Sequence, residues 1–157
     1  MKRFALTLAA LALTAAAHAQ VTVKDAWVRA TVPQQKATGA FMQLTAARDA
    51  RLVSAQSPVA GVVEIHEMAM VDNVMKMRAV PGVDLPAGKA VDLKPGGFHV
   101  MLLDLKGQVK AGDTVPVTLV VEGRDGKRET IEVKASARPL NAAAQTGAGH
   151  DHGAMKH

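Results

Sequence analysis

Between Val62 and Val80 the chain alternates about one tight-turn signal, Asp72-Asn73, and that pattern commits the segment to a β-hairpin. With those two residues in the turn, Met70 opposes Met75, Met68 opposes Met77, and Glu67 opposes Arg78. Because strand side chains alternate faces, His66, Met68, Met70, Met75 and Met77 gather on one side, and Glu67, Ala69, Lys76 and Arg78 on the other. A one-residue slip would scatter the set, so the register carries chemical meaning. His66 then stands diagonally from Met77, at a spacing that long side chains bridge.

A second segment, Gly96-Gly97-Phe98-His99-Val100-Met101-Leu102-Leu103, repeats the motif, since His99 and Met101 lie two residues apart on one strand face. The rest of the chain reads as short apolar runs punctuated by Gly, Pro, Asp and Asn, without sustained helical periodicity after the amino-terminal leader. Strands are expected at 21–30, 39–45, 52–57, 62–71, 74–80, 90–93, 98–105, 114–122 and 128–135. Gly123-Arg124-Asp125-Gly126 joins the last two as a hairpin. The spacing predicts an all-β fold, a sandwich or Greek-key barrel.

The ends read differently from this body. Lys2 and Arg3, the apolar run from Phe4 to Ala17 and the small-residue pattern Ala17-His18-Ala19 form a secretory signal over 1–19, too short to span a membrane. Cleavage after Ala19 removes two positive charges and lowers the formal charge from +5 to +3. So modest a surplus argues against nucleic acid as a partner. Residues 20–138 are expected to form one domain, and 139–157 a flexible tail ending Gly149-His150-Asp151-His152-Gly153-Ala154-Met155-Lys156-His157. No later stretch reads as a membrane span, and a monomer is expected.

The 157 residues contain no cysteine. Disulfides, zinc–thiolate sites, a lipidated cysteine, a cysteine nucleophile and a blue-copper centre are therefore excluded. A metal site must draw on histidine, methionine or carboxylate. Of six histidines, His18 goes with the leader, His66 and His99 stand beside methionines on strands, and His150, His152 and His157 lie in the tail. Imidazole and thioether donors on rigid strands suit a soft ion, Cu(I) above all. Met42 and Trp27 are assigned to the core, and for Met68, Met70 and Met75 core packing is preferred over a metal role.

The spacing His66, ten residues, Met77, twenty-one residues, His99, one residue, Met101 resembles the H-x10-M-x21-H-x-M signature of the periplasmic PCu(A)C copper chaperones. Asp25-Ala26-Trp27-Val28-Arg29, Gly39-Ala40-Phe41-Met42, Val63-Glu64-Ile65-His66-Glu67 and Pro95-Gly96-Gly97-Phe98 are similar too, so that the resemblance covers about residues 21 to 135. It implies a cupredoxin-like β-barrel binding Cu(I) through His66, Met77, His99 and Met101. It also implies delivery of copper to the CuA centre of cytochrome c oxidase subunit II, with a Sco-type thiol-disulfide reductase as the further partner. Two neutral imidazoles and two neutral thioethers leave a Cu(I) site with charge +1 and disfavour Cu(II). Cu(II) prefers nitrogen and oxygen donors, which suggests a tail site built on His150, His152, Met155 and His157, with Asp151 beside them.

Catalysis finds little support, for there is no G-x-S-x-G serine, H-E-x-x-H or phosphate loop, and a non-enzyme is expected. Three alternatives remain. Cleavage after Ala17 would expose His18 as an amino-terminal copper chelate of the monooxygenase kind; the same four ligands could serve a periplasmic buffer or resistance protein; and the domain could be an Ig-like binding module whose methionines only pack.

Overall fold

The structure is a computed structural model that describes residues 20–141. The expected secretory signal over 1–19 and the tail histidines lie outside the described residues. Among the described residues there are ten strands: β1 (Val21–Arg29), β2 (Ala37–Ala46), β3 (Ala50–Gln56), β4 (Ala60–Val71), β5 (Val74–Ala79), β6 (Val83–Leu85), β7 (Ala90–Leu93), β8 (Phe98–Leu105), β9 (Thr114–Gly123) and β10 (Arg128–Arg138). Among the described residues there is no helix, and hence none long and apolar enough to cross a membrane.

The strands join in the order β5-β4-β8-β2-β1-β10-β9-β3-β6, with β7 also paired to β2. The path ends on β5 and β6 and does not close. Only β1 with β10 is parallel; the other pairings are antiparallel. The sheet folds over on itself because its two halves bury one side each: Val28, Ala40, Leu44, Val100 and Leu102 from one half meet Leu52, Val117, Leu119 and Val121 from the other in a single cluster. Strand β9 shows the driving pattern, with Val115, Val117, Leu119 and Val121 buried and the residues between them facing outward.

Nine of the ten strands are legible in the sequence, and β7 and β8 have the expected ends. β6 is not, because Val83-Asp84-Leu85 is three residues between Pro81-Gly82 and Pro86, too short for a periodic signal. Tertiary burial makes it a strand: Val83 and Leu85 sink into the core and β6 pairs with β3. The β4–β5 hairpin has the anticipated register, Glu67 with Arg78, Met68 with Met77 and Met70 with Met75. Asp72 and Asn73 take φ of 52° and 62°, as a two-residue type I′ turn requires. Arg78 Nε donates to Glu67 Oε1 at 2.7 Å across the pair.

Met42 and Trp27 are buried, as expected. Core packing for Met70 and Met75 is overturned, since both are exposed at the hairpin's end, where no second layer covers them.

Candidate metal centre

Alternation decides which face holds the site. Val100 and Leu102 of β8, Ile65 of β4 and Ala40 of β2 point into the core, so His99, Met101, Glu64, His66, Gly39 and Phe41 point to the opposite face. His66 and His99 are direct cross-strand partners, with ring centroids 6.0 Å apart. Both are nonetheless buried, at 9% and 5% exposure.

An aromatic wall supplies the cover. Trp27 and Phe41 rings lie 4.5 Å apart, and Phe41 reaches to 6.1 Å of His99. A β-bulge in β1 lies between Lys24 and Trp27, with Asp25 at φ 51°; beyond it Val28 pairs with Ala40 on the core side and Trp27 with Phe41 on the site side, and both are buried. Phe41 lies directly over Gly39, where a Cβ would stand 2.6 Å from the ring's Cζ. Arg29 and Arg138 stack their guanidinium groups over Phe41 and Trp27.

The loop before β8 orients the histidine. Gly96, at φ 84°, turns the chain so that the Gly97 carbonyl accepts both the Met68 N–H at 3.2 Å and His99 Nδ1–H at 3.0 Å. A carbonyl can only accept, so Nδ1 carries the proton and Nε2 presents its lone pair. Nε2 stands 3.1 Å from Met77 Sδ, across 22 residues of sequence. Two soft donors therefore converge, close to the roughly 3.5 Å donor–donor edge of a tetrahedron built with about 2.0 Å metal–N and 2.3 Å metal–S bonds.

His66 is held by the other nitrogen. Its Nε2 lies 2.6 Å from Glu64 Oε2, and its Nδ1 is buried without a hydrogen-bond partner. The Glu64 carboxylate accepts the hydrogen bond from Nε2–H, which leaves Nδ1 with its lone pair free. Sequence reasoning passed over Glu64, although a carboxylate two residues before a strand histidine shares its face.

His99, Met77, Met101 and Met68 line one cavity of about 310 Å³ together with Phe41 and Arg29, and His66 adjoins it through His99. The four motif residues are thus brought to one region by β4, β5 and β8. His150, His152, Met155 and His157 lie outside the described residues. Among the described residues, no three His, Asp or Glu side chains cluster as a metal site.

Burial lowers the pKa of His99 from its ordinary 6.5, opposed by the Gly97 hydrogen bond and reinforced by His66 and Arg29. Neutral imidazole is the form that binds metal.

This open all-β arrangement is the cupredoxin-like β fold that solved PCuAC domains share. Residues 21–136 match the model of the LpqE-like family, and the chain belongs to that family. It is 35% identical over 100 residues to Lxx21020 of Leifsonia xyli subsp. xyli, covering 63% of this chain; the chain spans only 60% of that relative's length. It is similar to the solution structure of Cu(I)-DR1885 from Deinococcus radiodurans, with 35% identity, a TM-score of 0.58, and coverage of 81% of this chain and 85% of that one. The copper-bound PCuAC domain of PmoF2 shares the fold, with 23% identity, a TM-score of 0.58, and coverage of 76% and 92%.

Proposed function

We propose that this protein is an exported copper carrier that holds Cu(I) between His66, Met77, His99 and Met101 and releases it by ligand exchange. The observation that carries the reading is the Met77 sulfur set against the unprotonated nitrogen of His99, on an edge strand where Met77 stays 48% exposed. A buried imidazole pair makes a retentive half of the site, and an exposed thioether makes a half that an incoming ligand can replace. Membership of the LpqE-like family and the similarity to Cu(I)-DR1885 support copper as the cargo. The ordered domain is taken as 20–138, after a signal over 1–19, which places the carrier in the periplasm, and it acts there without catalysis. The recipient is the CuA domain of cytochrome c oxidase subunit II, with a Sco-type reductase in the same route, and the tail offers Cu(II) donors.

Competition titration with a chromogenic Cu(I) chelator tests the ligand set. Met101→Leu keeps apolar volume and removes sulfur; it and His99→Ala are expected to weaken Cu(I) binding by well over tenfold. Unchanged affinity in both overturns the set. For the recipient, Cu(I)-loaded protein is mixed with an apo CuA domain, with and without the reductase. Failure to transfer under both conditions replaces the carrier by a copper buffer.

A further inference from the structure

The hairpin continues past the cavity. Met68 lines the cavity and pairs with Met77, and one step further along the same face Met70 pairs directly with Met75. Met70 and Met75 are 63% and 46% exposed, so core packing explains neither. Directly opposed side chains on an antiparallel pair have Cβ atoms about 4.5–5.5 Å apart, and each step of two residues advances roughly 7 Å along the strand. Four thioethers thus form two rungs, the inner one against His99 and the outer one in solvent.

We propose that Met70 and Met75 form a second binding site for a soft monovalent cation, a bis-thioether clamp at the tip of the β4–β5 hairpin, with Met68 as a third donor. A two- or three-coordinate thioether site is chemically suited to Cu(I) or Ag(I) and unsuited to harder divalent ions. The type I′ turn at Asp72-Asn73 locks the register on which the clamp depends, two residues from the pair. Val71 and Val74 occupy the other face of the tip, and the oxygen-bearing residues nearest the rung along the chain are Asp72 and Asn73 of the turn. An ion on the outer rung is one rung from Met77. Passage from Met75 to Met77 exchanges one neutral thioether for another, with no electron or proton moved. That passage rests on the core-site reading; occupation of the outer rung does not.

The full chain, labelled with [13C-methyl]methionine and titrated with silver(I) nitrate in chloride-free buffer, tests the site by NMR. The expected result is that the Met70 and Met75 methyl signals shift together with a single affinity, and that they still do so in His99→Ala, in which the inner site is impaired. Replacing both exposed residues, Met70→Leu with Met75→Leu, is expected to leave the fold intact and to weaken binding of the second Ag(I) at least tenfold. Unmoved Met70 and Met75 signals, or the same second affinity in the double variant, would overturn the proposal and leave the tip as an apolar surface for a protein partner. Shifts at the tip in a chain whose Met77 and Met101 never respond would reject the core reading while sustaining this one.

Discussion

At the scale of single residues, the histidines differ in which nitrogen is committed, and the difference is set by neighbours of opposite character. His99 gives Nδ1–H to a backbone carbonyl, whereas His66 turns Nε2 to Glu64. Glu64→Ala removes the partner that orients His66, so Cu(I) affinity should fall about 10–100-fold, the usual effect of losing such an orienting group. Glu64→Gln, which keeps an acceptor, should lose less. A chelator competition in which Glu64→Ala binds as wild type would refute the role. The lowered pKa of His99 has a consequence for the apo fold. The unfolded chain binds a proton at this residue near the ordinary value of 6.5 and the folded chain binds it only at lower pH, so stability is full above 6.5 and declines as pH falls toward the folded value. Urea midpoints measured between pH 8 and 5 should decline in the wild type and decline less in His99→Gln.

At the scale of elements, the β4–β5 hairpin is what converts distant sequence into a site. β4 is paired on both sides, to β5 and β8, while β5 has one neighbour and forms the sheet's edge. An edge strand separates locally at less cost than a central one, which suits a strand that delivers the exposed Met77. Asn73→Val forces a β-branched residue into a left-handed turn position, worth about 1–2 kcal/mol against the hairpin. Hydrogen exchange of the β5 amides should accelerate and Cu(I) affinity drop, with a smaller change in global melting. Equal loss in β5 and in β9 would instead mean that the hairpin opens only with the whole domain. The register of this element was legible because turn chemistry, cross-strand charge and alternation agree, with Glu67 and Arg78 paired as anticipated. Preferring the core for Met70 and Met75 failed because apolarity alone cannot tell a strand's buried middle from an uncovered end.

At the scale of the molecule, the two halves of the sheet share a single core, so the site's platform and the distant β9–β10 hairpin should unfold together. Leu119→Ala, at a fully buried position far along the sheet order from β4, should cost about 2–5 kcal/mol in one cooperative transition without altering Cu(I) affinity in the folded protein. For one folded-state site and no binding to the unfolded chain, Cu(I) at 100 times its dissociation constant should stabilise the wild type by about 2.7 kcal/mol and the Leu119→Ala variant by the same amount. Calorimetry of both proteins with and without the ion checks the pair of expectations.

Alternation and turn residues already confine the body of the chain to an all-β fold, and the absence of cysteine leaves histidine, methionine and carboxylate as candidate metal donors, because those properties act over a few neighbouring residues. The spacing of the histidines and methionines could mark the donors as a set. Which nitrogen each histidine presents, the Glu64 contact, the Phe41 wall over Gly39, the strand at Val83–Leu85 and the exposure of the outer methionine rung were decided only in the folded molecule. Each depends on which strands become neighbours, and neighbourhood in a sheet is settled by burial of the whole core rather than by any local stretch of chain.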